Sequence, residues 1–344
     1  MKTLYIQDLK DRVGEKVELK VWVHRKRRHG NLIFLALRDS TGIVQASIKK
    51  DLVDGGSFSR AKSTTLESSV KVKGRILEDS RAPTGIEIQV KSLEIINLAK
   101  DFPIKKDTGK EVLLDLRHLY FRSQKITHVM KARAFIIDYL REFFEDKGFW
   151  EVSPPILTKA GCEGGTTLFD IEYFGEEVYL SQSAQLYNEV FITGLEKIYV
   201  LAPSFRAEKS RTPRHLTEYW HLEEEAAFYD NEDNIKLQEE LIFHLCQRFA
   251  EHEDILKFFG RKPSELKKVK PPFPKISYTD AISKLQEKNV DIQWGDDLGD
   301  LAERKLSEEE KLPIFVCNYP KKAKPFYMKL NPKDPETVLN SDLL

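Results

Sequence analysis

The sequence contains no run of roughly eighteen apolar residues, and its opening Met1-Lys2-Thr3-Leu4-Tyr5 lacks the apolar core of a secretory leader. A soluble, cytoplasmic protein is therefore expected. Cysteine is scarce: Cys162, Cys246 and Cys317 stand far apart with no C-x-x-C spacing. This argues against a disulfide framework or a zinc site and for a reducing compartment. The eight histidines form no ligand pattern either; His215 and His221 lie six apart, which fits neither a helical i, i+4 face nor a zinc finger. Net charge is also lacking, with 55 basic residues against 55 acidic, but the balance hides an asymmetry. Residues 1–104 hold 20 Lys and Arg against 13 Asp and Glu, and residues 105–344 hold 35 against 42. A basic front module facing nucleic acid is the expectation.

At 344 residues the chain exceeds one ordinary core, so two domains are expected. Val17, Leu19, Val21 and Val23 alternate with polar residues, which is the period of a strand. Further strands are expected at Asn31–Leu37, Val44–Ile48, Ser69–Ile76 and Ile86–Ile95, with a short helix at Phe58–Glu67. Five short strands in about one hundred basic residues suggest a small barrel of oligonucleotide-binding type. Ile33, Leu35 and Leu37 supply its inward face and leave Phe34 outside, near Gln45 and the basic run His24-Arg25-Lys26-Arg27-Arg28. A ring to stack on, an amide and cations are what unpaired bases and phosphates need.

The charged stretch 101–122 reads as a linker between a 1–100 domain and a 123–344 domain. Beyond it, Ile126–Lys147 carries a helical stripe of Val129, Ala132, Ile136, Tyr139, Leu140 and Phe143, closed by Gly148. Pro154-Pro155 excludes a central strand and places that piece at a sheet edge or an interface. Strands and turns are expected over 176–190, 196–208 and 218–230, helices at Asn234–Phe249 and Asp280–Glu287, and a buried strand at Pro313–Asn318. The fold class is α+β.

The segment Phe205-Arg206-Ala207-Glu208 through Arg214-His215 to Glu218-Tyr219-Trp220 reads as two strands joined by a basic loop. A guanidinium at Arg206 suits an α-phosphate, and Arg214 and His215 suit outer phosphates. Glu208 only accepts hydrogen bonds, which fits an exocyclic amino group, and Tyr219 offers a face to a purine. Guanidinium clusters also serve nucleic acid, so spacing alone leaves both readings open.

The combination of these features resembles the class IIb aminoacyl-tRNA synthetases of the aspartyl/asparaginyl branch, most closely the archaeal-type asparaginyl enzymes. Val21-Trp22-Val23-His24-Arg25, Gly30 to Phe34 and Gly42-Ile43-Val44-Gln45 are similar to the anticodon-binding barrel, Gly148–Ile156 to the dimer element called motif 1, and Phe205–Phe228 to motif 2. The resemblance implies an OB-fold barrel before a class II antiparallel sheet with flanking helices. It implies ATP and Mg2+ as cofactors, asparagine and tRNA(Asn) as partners, and a homodimer. Arg206, Glu208, Arg214, His215 and Tyr219 would bind ATP, with Arg206, Glu208 and His215 at the chemistry. Glu163, Ser183, Gln185 and Glu189 would bind the amino acid, and Arg27, Phe34 and Gln45 the tRNA. Metal ligands are not assigned.

Aspartyl enzymes carry Gln-Ser-Pro-Gln-Leu-x-Lys, whereas this chain reads Gln182-Ser183-Ala184-Gln185-Leu186-Tyr187-Asn188-Glu189. Replacing that cation and adding Glu189 favours an amide over a carboxylate. No motif 3, the family's glycine-rich strand with a further ATP arginine, occurs up to Leu344. Taken alone, residues 1–344 are therefore expected to be inactive, with unpaired strand edges. A non-discriminating aspartyl-tRNA synthetase or an asparagine-forming relative is the alternative enzyme. An inactive tRNA-binding or split-subunit protein is the alternative of another class.

Overall fold

The computed structural model describes residues 4–100, 102–105, 107–161, 167–208 and 215–344. The chain forms two compact units, one ending at Phe121 and the other beginning at Arg122.

In the first unit, strands β1 (Lys16–His29), β2 (Leu32–Arg38), β3 (Ile43–Lys49), β4 (Ser69–Glu78) and β5 (Ile86–Asn97) close into a barrel in the order β1-β2-β3-β5-β4. Alternation drives closure: Val17, Leu19, Val21 and Val23 of β1 and Ile33, Leu35 and Leu37 of β2 all turn inward and are buried. Burying each such side chain contributes about 1.5–3 kcal/mol. Helix α1 (Ser57–Ser63) is shorter than the expected Phe58–Glu67 and packs on β5. The stretch read as a linker carries two short helices, α2 (Lys110–Asp115) and α3 (Arg117–Tyr120).

The second unit is built on α4 (Gln124–Asp146), whose Ser123 hydroxyl caps it by accepting from the Ile126 amide. Only the C-terminal half of its expected stripe is buried, through Tyr139, Leu140 and Phe143; Val129 and Ile136 are exposed. After it come β6 (Trp150–Glu151), β7 (Leu157–Thr158), β8 (Asp170–Tyr173), β9 (Glu176–Leu180), α5 (Gln185–Leu195), β10 (Lys197–Phe205) and β11 (Glu218–Ala226). The strand-and-turn reading of 176–190 is thus corrected, because a helix begins at Gln185. Strand β10 is central between β11 and β6, so the stretch before Pro154 does sit at a sheet edge.

Helix α6 (Asn231–Phe249) packs on α4, with Asp230 and Asp233 forming its capping box. Phe143, Phe144, Phe149, Tyr199 and Leu237 form the core between these helices and β10–β11. The remainder comprises α7 (Glu253–Phe258), α8 (Pro263–Leu266), β12 (Lys275–Ser277), α9 (Tyr278–Glu287), α10 (Asp300–Ser307), β13 (Phe315–Cys317) and β14 (Ser341–Leu343). The buried strand expected at Pro313–Asn318 is β13, flanked by β12 and β14.

Candidate active site

Period-two alternation gives the β10–β11 ladder two chemically different faces. Tyr199 pairs with Glu224 and Leu201 with Leu222, and Tyr199 and Leu222 pack into the helical core. On the opposite face Ile198 pairs with Glu225, Val200 with Glu223, Ala202 with His221 and Ser204 with Tyr219. Arg206 continues that row one step beyond Phe205, and its amide donates to the Thr217 carbonyl at 2.9 Å. Its guanidinium carbon lies 5.7 Å from the centroid of the Tyr219 ring, a cation–π contact.

Glu223 organises the second half of this face. Its carboxylate accepts from the Ser183 hydroxyl and, at 2.9 Å, from the Ala184 amide, locking the turn that starts α5. The imidazole of His221 lies 3.5 Å from the same carboxylate and 3.2 Å from the Ser204 hydroxyl. Gln182, fully buried, donates from Nε2 to the Thr167 hydroxyl at 2.6 Å, and the Ala207 amide donates to the Thr167 carbonyl at 2.8 Å. Thr167 is thereby tied to both the Gln182-Ser183 turn and the strand that leads to Arg206.

Two carboxyls of this strand titrate abnormally. Burial raises Glu224 on the helical face. Glu225 is pushed up to about 7, first by burial and then by repulsion from Glu224, Glu189 and Glu223. Glu189, the expected amide acceptor, is exposed and accepts from Gln185 Nε2 at 3.3 Å. Asn188, standing where aspartyl enzymes carry lysine, is 1 % exposed, and among the described residues neither polar atom of its side chain has a partner. Glu223, Glu225 and His221 were missed in the sequence, where Glu223-Glu224-Glu225 looks like a charge run; strand alternation was the available signal.

The structure therefore brings Arg206 and Tyr219 together, and joins Ser183 through Glu223 to the same face. Gln185 and Glu189 pair at the first turn of α5. Glu208 and His215 are exposed at the two ends of the connecting loop. Glu163 and Arg214 lie outside the described residues. Among the described residues no cluster of three His, Cys, Asp or Glu is arranged to hold a metal ion.

On the barrel, Arg27 of β1 stands directly opposite Phe34 of β2, and Phe34 opposite Ser47 of β3. Gln45 is opposite Ala36, one step along the same outer face. Glu87, absent from the sequence expectations, accepts from Gln45 Nε2 at 2.8 Å and from the Ser47 hydroxyl. Among the described residues the Gln45 side-chain carbonyl oxygen makes no hydrogen bond. The basic run is split by a bulge between Val23 and Arg25. Arg25 and Arg27 are exposed, while Lys26 turns away and donates to the Lys62 and Thr64 carbonyls at the end of α1.

Comparison with known proteins decides the family. A profile described as tRNA synthetases class II (D, K and N) matches residues 109–344, and one described as an OB-fold nucleic acid binding domain matches residues 17–96. The chain belongs to the class II tRNA synthetases of the D, K and N group. The asparagine–tRNA ligase of Thermococcus gammatolerans is 48 % identical over 343 residues, covering 99 % of this chain and 80 % of the relative. That of Thermococcus kodakarensis is 50 % identical over 333 residues, covering 96 % and 77 %. Among solved structures, asparaginyl-tRNA synthetase from Pyrococcus horikoshii complexed with asparaginyl-adenylate superposes with a TM-score of 0.95 at 48 % identity. It matches all of this chain, which spans 80 % of that one.

Proposed function

We infer that this class II synthetase is an asparagine–tRNA ligase, which activates asparagine with ATP and transfers the asparaginyl group to tRNA(Asn). The observation that carries the reading is the face shared by Arg206, Tyr219, His221 and Glu223. A permanent cation over an aromatic ring meets a carboxylate-locked turn there, beside three carboxyl groups on Glu189, Glu223 and Glu225.

In the first step the asparagine carboxylate attacks the α-phosphorus, forming the acyl phosphate bond while pyrophosphate leaves. Arg206 binds the α-phosphate oxygens as charge grows on them. Tyr219 supplies the adenine with a stacking surface, and Glu208 accepts from its amino group. His215 and Arg214 hold the outer phosphates. Ser183, Gln185 and Glu163 position the amino acid, so that catalysis is mainly orientation. In the second step the terminal 3′-hydroxyl of the tRNA attacks the activated carbonyl and AMP leaves. Among the described residues no cluster of ligands for Mg2+ is present; bound with ATP, the ion would offset phosphate charge.

Aspartate is disfavoured because a second carboxylate would meet repulsion from acids on this face, whereas an amide donates to them. Residues 1–100 act as the anticodon-binding domain, 101–122 as the connection and 123–344 as the catalytic domain, with Arg27, Phe34 and Gln45 contacting the anticodon. Exposed Val129, Met130 and Trp150 suit a homodimer formed through the motif 1 element, and the free thiols of Cys246 and Cys317 suit a reducing cytoplasm. Pyrophosphate exchange tests the substrate: asparagine-dependent exchange is expected from the enzyme that also carries motif 3, and little or none from residues 1–344 alone. Exchange driven by aspartate alone would overturn the assignment, and tRNA binding without exchange on either amino acid would favour a non-catalytic RNA-binding role.

A further inference from the structure

The barrel carries a second cationic surface, away from the strands that present Phe34 and Gln45. Lys16 of β1 stands directly opposite Arg75 of β4, and Lys20 directly opposite Lys71. Like charges opposed across an antiparallel ladder cost stability. The cost is only partly offset, by Glu18 on Lys73 at 2.8 Å and Glu94 on Lys71 at 2.5 Å. Among the described residues Lys16, Lys20, Arg75 and Lys91 form no ion pair.

Lys91 reaches this surface through a bulge. The β4–β5 ladder passes from Lys73 opposite Ser92 to Gly74 opposite Val90, so Lys91 is the extra residue and is exposed. An open cleft of about 680 Å³ is lined by Lys16, Glu18, Lys73, Arg75, Gln89 and Lys91.

This surface is continuous with the Phe34 face. The outward residues of β1 run through Lys16, Glu18, Lys20 and Trp22 and, past the bulge, Arg25 and Arg27. At about 3.3 Å per residue the row from Lys16 to Arg27 spans roughly 35 Å.

We propose that the β1–β4–β5 face is a second, sequence-independent site for the sugar-phosphate backbone of the RNA whose bases meet the Phe34 face. It rests on the reading of the barrel as an RNA-binding module. Cations strung along a strand match a linear polyanion better than a compact one, and phosphates would relieve the like-charge pairs that the bare fold carries. The twist of the strands curves the row, which suits a nucleic-acid backbone and not a flat lipid surface.

The test is binding of a tRNA transcript, and of the same transcript with its anticodon replaced, to the full chain across a salt series. The triple variant Lys16→Gln, Arg75→Gln, Lys91→Gln is expected to reduce the slope of log affinity against log salt by roughly 2, equally for both transcripts. By relieving repulsion it should not lower the melting temperature, and in the enzyme that also carries motif 3 it should leave asparagine-dependent exchange unchanged. Glu18→Gln should tighten binding. An unchanged slope in the triple variant overturns the proposal, as does loss of binding to phosphatidylserine vesicles with the RNA slope intact. Phe34→Ala separates the two readings: it should weaken only the transcript with the original anticodon. A silent Phe34→Ala beside a reduced slope would sink base reading at Phe34 while leaving the backbone site standing.

Discussion

The guanidinium of Arg206 lies over the ring of Tyr219, with the arginine carbon 5.7 Å from the ring centroid, and the two are set there by the same hairpin. Tyr219 is fixed by pairing with Ser204, and Arg206 by donating its amide to Thr217. In the proposed role the cation would need little reorganisation as charge develops on the phosphate. In the enzyme that also carries motif 3, replacing Arg206 by alanine is expected to lower asparagine-dependent pyrophosphate exchange on the order of a hundred- to a thousand-fold or more while tRNA affinity stays unchanged. Lysine at the same position keeps charge but loses the planar fork, so only partial recovery is expected.

Glu225 gives the fold a pH signature. Its folded pKa of about 7 lies above the ordinary carboxyl value of 4.5, so the folded state holds a proton that the unfolded chain releases. Its contribution favours folding below pH 4.5 and is lost as the pH rises to about 7. Glu225→Gln should therefore match the parent below pH 4.5 and exceed it above pH 7, by on the order of 1–2 kcal/mol. Melting temperatures measured across that window check the sign; a variant less stable than the parent at pH 8 contradicts it.

Phe34→Ala should weaken tRNA binding by about 1–3 kcal/mol, one base–aromatic stack, without altering exchange. Filter binding and exchange assays on one preparation distinguish this from unfolding.

Gly74 lies against the neighbouring strand with no room for a side chain. A Cβ there would meet the Gln89 carbonyl oxygen at 2.5 Å and the Ile88 side chain at 2.8 Å. Alanine at this position is expected to cost about 1–3 kcal/mol through overpacking, read by thermal or denaturant unfolding of the full chain.

The barrel strands were legible because Val17 to Val23 and Ile33 to Leu37 carry clean alternation over a single buried face. Helix α5 was not. Val190, Ile192, Thr193 and Gly194 are poor helix formers, and the segment folds as a helix because it packs on β10 and β11. Arg206 and Tyr219 could be named as partners because they flank one hairpin. Glu87 could not, since only the parallel pairing of β3 with β5 brings it beside Gln45 and Ser47. The expected stripe on α4 overreached because periodicity locates an apolar face without saying what covers it, and Val129 and Ile136 remain exposed.

The position of β1 in the barrel has a consequence for synthesis. Its N-terminal half pairs with β4 and its C-terminal half with β2, so Lys16 must wait for Arg75 before its ladder can form. The closing strand, β5, ends only at Asn97. A nascent chain can assemble the β1–β2–β3 meander early, but the ring stays open until β5 has cleared the ribosome. Translation through the residues that follow thus sets the time available for the barrel to shut before the second unit begins to emerge.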